Sequence, residues 1–371
     1  MRFLVLATAV CLALHSAPVA ARQLRVDPDR VLASVGEQQA ENIEIVPTTA
    51  GPGRVFRQAV SKPGTSRLRF HLTIIDQPAE PSWHMEVVSA GGARQRYRPG
   101  PGETEFWTDE TNGNSATLEL FTTAAVVKLK LVIDQVIVSK PPTKPKSISG
   151  QSQFELYRNQ GEPIRTLGRS VVRLRFVDDE KKKEFTCTGF LVFTSAHILT
   201  NEHCINSDKE MRSALVDFDF DGGGAPTRTV RLRKLLDSNV ELDYSLLELA
   251  EPADRSVLVL KSNSDADGRA LFIVQHPGGE VKQVSIRDCK VKGPQMPGTT
   301  ATPTDFGHTC DTLGGSSGSP VFDPTGLTVV GLHHFGFFDG DPNPVNQAVR
   351  IGLVIDAIRK KFPALVGPPT P

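Results

Sequence analysis

The sequence predicts an all-β chain built in two parts, and three observations carry that prediction. Between Arg67 and Val138, short runs alternate apolar and polar residues: Leu68-Arg-Phe-His-Leu-Thr-Ile-Ile, Trp83-His-Met-Glu-Val-Val, Ala116-Thr-Leu-Glu-Leu-Phe and Lys128-Leu-Lys-Leu-Val-Ile. Period-two alternation broken by Gly, Pro and Asn turns is the pattern of an antiparallel β-sandwich. Lys140-Pro-Pro-Thr-Lys-Pro-Lys-Ser-Ile-Ser-Gly150 then reads as an extended, exposed linker and a plausible proteolytic site. Beyond it, alternation resumes at Ser170–Val177 and Glu184–Phe193.

The flanking segments are of other kinds. Met1-Arg2 followed by apolar Phe3–Leu14 is a positive start and a run too short to cross a bilayer, and Val19-Ala-Ala21 offers small residues for cleavage. Residues 1–21 are therefore expected to be a signal peptide, and the mature chain a secreted protein of the periplasm or the medium. No membrane contact is expected after its removal. Residues 22–60 show little period apart from Asn42-Ile-Glu-Ile-Val-Pro, which reads as one strand. The expected division is 22–139 for a β-rich domain, 140–150 for the linker and 151–371 for a second domain. Over 371 residues, 42 Lys and Arg balance 42 Asp and Glu, which argues against nucleic acid or an anionic membrane as main partner. The chain is expected to be a monomer. Cys11 leaves with the signal; Cys187, Cys204, Cys289 and Cys310 remain, enough for two disulfides with three possible pairings.

Chemistry concentrates in Gly314-Gly-Ser-Ser-Gly-Ser-Pro320, where glycines permit a tight turn that converges amide N–H groups while a hydroxyl projects. Upstream lie Leu199-Thr-Asn-Glu-His-Cys204 and Asp243-Tyr-Ser-Leu-Leu-Glu-Leu249. The order His203, Asp243, Ser317 is one of the chain orders known for a Ser–His–Asp triad. All three motifs resemble those of the trypsin-like (chymotrypsin-fold) serine proteases, in order and approximate spacing, across about residues 168–362. Gly315-Ser-Ser-Gly-Ser-Pro-Val is similar to the serine motif of the bacterial glutamyl-endopeptidase branch. The resemblance implies a double β-barrel with the site between barrels, no cofactor, no metal, and protein or peptide substrates. Ser317 is implied as nucleophile, His203 as base, Asp243 as the group orienting it, and the backbone N–H groups of Gly315 and Ser317 as an oxyanion hole. It also implies a Cys187–Cys204 bridge, which leaves Cys289–Cys310 to brace the specificity pocket. Phe106-Trp-Thr-Asp-Glu, with Gly113 and Leu118-Glu-Leu, is similar to a β domain that precedes the catalytic domain in some bacterial secreted proteases. The two tryptophans, Trp83 and Trp107, are expected in its core.

Other segments are placed in order. Val216-Asp-Phe-Asp-Phe-Asp-Gly222 opens like a calcium loop, but Arg228 stands at the twelfth position, so a solvent-facing strand is expected. His276, in a Gln-His-Pro-Gly-Gly turn, is expected to bond to backbone. Leu327–Gly336 is implied to line the substrate cleft, with Asp311, Thr312, His333 and Phe335 as pocket residues. Asp311 favours a basic substrate side chain and His333 an acidic one; the balance leans to acidic. His334 takes the place of a serine that commonly supports the catalytic Asp. A last strand at Gln347–Ile351, a helix at Leu353–Lys361 and a Pro-rich tail from Pro363 complete the chain.

The resulting reading is a secreted serine endopeptidase working through an acyl-enzyme; the alternative is a catalytically silent, protease-like binding or adhesion protein. Ser316 stands where animal trypsin-like enzymes carry an Asp that pairs with a newly cut amino terminus. That salt bridge is impossible here. Chains starting before and after Ser170 should therefore both cleave peptides, and a strict requirement for a freed amino terminus in a cleavage assay sinks the expectation.

Overall fold

The structure, a computed structural model, describes residues 32–47, 51–79, 82–100, 102–123, 128–140, 146–148, 151–222, 225–262, 266–337 and 344–367. The expected signal segment 1–21 and most of the linker lie outside them.

The amino-terminal part holds β1 (Ala33–Ile45), β2 (Gly53–Ser61), β3 (Arg67–Asp76), β4 (Trp83–Ser89), β5 (Arg94–Tyr97), β6 (Glu105–Trp107), β7 (Thr111–Asn112), β8 (Ser115–Thr122) and β9 (Lys130–Ser139). One sheet runs β2-β8-β4-β5; the facing one runs β1-β9-β3-β6, with β7 beside β3. The apolar members of the alternating runs, among them Leu68, Phe70, Met85, Leu118 and Leu131, meet between the sheets together with Trp83. Trp107 is buried as well, against Ile137 and Val177.

The second part begins with β10 (Lys146–Ser147), β11 (Glu155–Leu156) and helix α1 (Ile164–Gly168). It continues through β12 (Val171–Asp178), β13 (Lys183–Leu191), β14 (His197–Thr200), helix α2 (Asp208–Ser213), β15 (Leu215–Phe218), β16 (Arg228–Asn239) and β17 (Tyr244–Leu249). Strands β12-β15-β16-β17-β14-β13 close into a six-stranded barrel through the β12–β13 pairing. Its interior is filled by Val172, Leu174, Phe176, Phe185 and Leu247. Then come β18 (Phe272–Gln275), β19 (Gln283–Ser285), β20 (Asp305–His308), β21 (Thr312–Leu313), β22 (Pro320–Asp323), β23 (Thr328–Phe335) and β24 (Asn346–Arg350). All but β21, which pairs with β10, join a sheet β11-β19-β18-β22-β23-β24-β20; bridges Ala270↔Lys290 and Val291↔His308 tie the segment ahead of β18 to β20. Helix α3 (Ile351–Lys361) packs Val354 and Ile358 onto a third core that joins the barrels, where Phe190 and Leu246 meet Phe272 and Leu332. This is the all-β, chymotrypsin-like architecture that the resemblance implies. The expected tail instead opens with a short helix α4 (Pro363–Val366), proline being well suited to a first helical position.

One expected strand proves longer than expected, and one solvent-facing expectation fails, both because distant parts of the chain cover them. Strand β1 begins at Ala33, not Asn42, and pairs on one side with β9 and on the other with β13, so Gly36 lies opposite both Ser139 and Glu184. The two parts thus share one continuous sheet. Its first four residues are buried, as in a strand covered on both faces, and show no alternation. Likewise Asp217 does not face solvent but is wholly buried. It accepts from Arg173 Nε and Arg175 Nε, each at 2.9 Å. Burial pushes its carboxyl up, but the two guanidiniums outweigh this and hold it well below the usual carboxylate range. The neighbouring carboxylates are also paired, Asp219 with Arg255 at 2.6 Å and Asp221 with Lys282 at 3.0 Å. The calcium-like spacing is a row of ion pairs.

Arg173 and Arg175 are buried because the sandwich covers that face of β12. Glu110 bonds to Arg67 at 2.6 Å and also to Arg175, while Asp109 and the Trp107 carbonyl each take Arg231 at 2.6 Å. Trp107-Thr-Asp-Glu110 is therefore the docking edge of the sandwich. Deeper in, Arg69 bonds Glu184 at 2.6 Å, both at most 2% exposed, and donates to the Ser213 carbonyl at 2.6 Å. A cleft of about 470 Å³ runs along this seam beside Lys140, Arg173 and Gly278–Gly279.

Breaking a buried pair from one side strands the other charge, at a cost of about 3–5 kcal/mol. Arg69→Met should lower the urea midpoint of the whole chain by a corresponding amount, and adding Glu184→Leu should recover most of the loss. An unchanged midpoint in the single variant shows that the seam contributes nothing.

Candidate active site

Antiparallel pairing sets the end of β14 beside the start of β17, with Thr200 opposite Ser245. The turn after β14 carries His203, and Asp243 immediately precedes β17. His203 Nδ1 lies 2.7 Å from Asp243 Oδ2, and the His203 main-chain N–H donates to Asp243 Oδ1 at 3.0 Å. The two turns are locked by the Asn201 amide, donating to the Asp243 carbonyl at 2.9 Å, and the Ser245 hydroxyl, donating to the Ile205 carbonyl at 2.6 Å. Asp243 sits at φ 42°, a left-handed backbone that Asp adopts more readily than most residues. Burial alone would raise its carboxyl; the His203 and His334 imidazoles outweigh it and hold the group well below the usual carboxylate range. His203 Nε2 is buried and has no hydrogen-bond partner among the described residues.

The serine turn is sewn between the barrels. The Thr188 N–H of β13 donates to the Ser317 carbonyl at 2.8 Å, and its hydroxyl donates to the Gly315 carbonyl at 2.9 Å. Gly318 N–H donates to the His333 carbonyl, and His333 N–H to the Ser319 carbonyl, each at 2.9 Å. Ser316 Oγ accepts from the Leu313 N–H at 3.1 Å, and Ser319 Oγ donates to the Ser316 carbonyl at 2.5 Å. Both of these hydroxyls are thereby engaged, whereas Ser317 Oγ has no such bond among the described residues. Gly315 and Gly318 have φ 95° and 84°. A Cβ on Gly318 would lie 2.0 Å from the Thr188 carbonyl oxygen, so only glycine fits.

The structure thus joins His203 and Asp243 directly. It connects Ser317 to them through Thr188 and the Cys187–Cys204 bridge, not through a hydrogen bond to His203. Both expected disulfides are present, Cys187–Cys204 and Cys289–Cys310. Loops of this size contribute about 3 kcal/mol each on an entropic account. The sulfurs of Cys187 and Cys204 lie within 4.8 Å of a His203 ring nitrogen, but a disulfide offers no thiolate to a metal.

The pocket residues divide. Asp311 accepts from the Gln153 main-chain N–H at 2.7 Å, and Thr312 pairs with Ser147. His333 is buried, with Nδ1 3.1 Å from His308 Nε2. Burial pushes both rings down, His308 to about 3 and His333 well below its ordinary value, so the pair is neutral near pH 7. Phe335 stacks on His334, centroids 3.7 Å apart. His276 bonds backbone, as expected: its Nδ1 lies 3.0 Å from the Glu280 carbonyl. Sequence reasoning missed Asp305, whose Oδ2 lies 2.6 Å from His334 Nε2; no motif marks it.

Residues 187–332 match the trypsin-like peptidase domain family, a span that includes His203, Asp243 and Ser317. The chain is similar to the secreted RxLR effector protein 73 of Plasmopara viticola, 25% identical over 69% of this chain and 70% of that protein. It is similar also to protein y4fB of Sinorhizobium fredii, 28% identical over 41% of this chain and 25% of that one. Among solved structures, the Rv3671c protease from M. tuberculosis aligns at 16% identity with a TM-score of 0.42, over 60% of this chain and 96% of that one. Fold and family match together support a peptidase of trypsin-like type.

Gly318→Ala should lose at least about 2 kcal/mol of stability, from backbone strain and the clash with Thr188. Gly64→Ala, at φ 80° with nothing within 4 Å of its Cβ, carries strain alone and should lose about 1 kcal/mol. Thermal melts of the two variants compare them; equal shifts contradict the close approach.

Proposed function

We propose that this chain is a secreted serine endopeptidase. Ser317 Oγ attacks the scissile carbonyl while His203 Nε2 takes its proton, and Asp243 holds the ring and stabilises the imidazolium. The N–H groups of Gly315 and Ser317 receive the oxyanion, each donor of this kind contributing ~3 kcal/mol to the transition state. His203 then returns the proton to the leaving amine, and water releases the acyl group by the same route.

The observation that carries this reading is the buried His203 Nδ1–Asp243 Oδ2 contact at 2.7 Å, which leaves Nε2 without a partner among the described residues. Resting sites often close the nucleophile–base bond only with substrate present. The same unbonded Nε2 is what favours the second reading, a silent binding protein. Two disulfides and the similarity to a protein named as secreted support export.

For the residue before the cut we carry acidic specificity, in the manner of the glutamyl endopeptidases. The Asp311 carboxylate is engaged by the Gln153 amide, which weakens its claim on a basic side chain. We further propose that residues 22–139 and 151–371 act as two domains that stay together, since the covering charges of the seam come from both.

The mature chain and its Ser317→Ala variant, incubated with a mixed peptide library and read by mass spectrometry, test the nucleophile and the specificity. Cuts after Glu or Asp made only by the parent are the expected result. Loss of at least about 10³-fold in rate on removing the serine follows from the concerted action of the three groups. Cuts after Arg or Lys overturn the specificity, and no cuts by either chain favour the binding protein.

A further inference from the structure

Behind Asp243 lies an arrangement that the triad does not require. His334 Nδ1 lies 3.1 Å from Asp243 Oδ2, and His334 Nε2 lies 2.6 Å from Asp305 Oδ2. All three side chains are at most 2% exposed. Both ring nitrogens therefore face carboxylates. A neutral imidazole would aim a lone pair at one of those oxygens, so only the imidazolium bonds both. Asp305 is fixed in turn by the Thr304 hydroxyl, donating to its Oδ1 at 2.9 Å.

We propose that His334 and Asp305 form a second imidazole–carboxylate pair that positions the triad aspartate, His334 serving as a charged clamp where the related proteases use a serine hydroxyl. This rests on the proposed triad and extends it. Asp243 Oδ2 receives His203 from one side and His334 from the other. Its free rotation is removed, and its second lone pair is taken by a cation rather than a neutral donor. Asp305 supplies the counter-charge, so that the cation does not strip Asp243 of its hold on His203.

The clamp titrates. The charged or titratable groups around it are Asp243 and Asp305 in contact, His203 beyond Asp243, and the rings of His308 and His333 from β20 and β23. Glu202 adds a carboxyl acting on Asp243. Burial alone would lower His334, but Asp305 and Asp243 outweigh it and raise the ring to about 9. A raised group gives its full contribution below its ordinary value of 6.5 and loses it as pH rises through about 9. Positioning of Asp243 should fail over that window.

The test uses the full mature chain, with two readouts. One is the pH profile of kcat/KM on a cleaved peptide; the other is the far-downfield proton of His203 Nδ1–H, assigned by its absence in His203→Ala. In the parent, the rate should fall as pH rises through about 9, and the proton should broaden with it. His334→Ser supplies a hydroxyl that does not titrate, so it should keep the proton and lose that alkaline fall. Asp305→Asn removes one carboxylate and should move the fall down by about 1–3 pH units. An alkaline fall and a downfield proton unchanged in both variants overturn the proposal, whatever the melting temperatures do. If His334→Ser does not fold, Asp305→Asn alone decides by the direction of its shift. A parent that cuts nothing, while its downfield proton still responds to both substitutions, overturns the peptidase reading and sustains the clamp.

Discussion

One carboxylate organises this site. Asp243 sits in a left-handed turn at the mouth of β17, where its two oxygens collect the His203 ring, the His203 main chain and the His334 ring. A buried anion is tolerable only when every lone pair is met. The surrounding chain is arranged to that end: strand pairing brings the histidine turn alongside, Asn201 pins the carbonyl, and β23 delivers a cation from behind. The base is oriented because the acid has nowhere else to point.

The same rule governs the seam between the two parts. Arg69, Arg173 and Arg175 alternate with apolar residues along their strands, and each is buried with a carboxylate. Net charge gave no hint of this, because pairing cancels in the total. Such pairs contribute little to net stability compared with apolar substitutes, but those that cross, Arg69 with Glu184 and Arg175 with Glu110, tolerate only one relative placement of the sandwich and the barrel. Their contribution is register.

That distinction explains how far the sequence could be read. Alternating runs such as Leu68–Ile75 revealed the sandwich, and the three motifs around His203, Asp243 and Ser317 implied the barrels, because both signals are local. What could not be read are features made by long-range covering. The first residues of β1 look irregular only because β9 and β13 flank them, and Val216–Gly222 looks like an acidic surface strand because its cations lie far off in the chain. His334 was visible as a departure, but its partner Asp305 lies 29 residues away with no pattern to announce it.

The shared strand bears on how the chain is made. β1 meets β9 early in the sequence but meets β13 only across the linker and the first barrel strand. A chain growing from its amino terminus therefore carries a finished sandwich with one ladder of amides and carbonyls still open at Ala33–Glu37. Open edges of this kind recruit whatever strand arrives first. For this protein the correct arrival is β13, so the strand that closes the sandwich edge is also the one whose Cys187 pairs with Cys204 and whose Thr188 holds the serine turn.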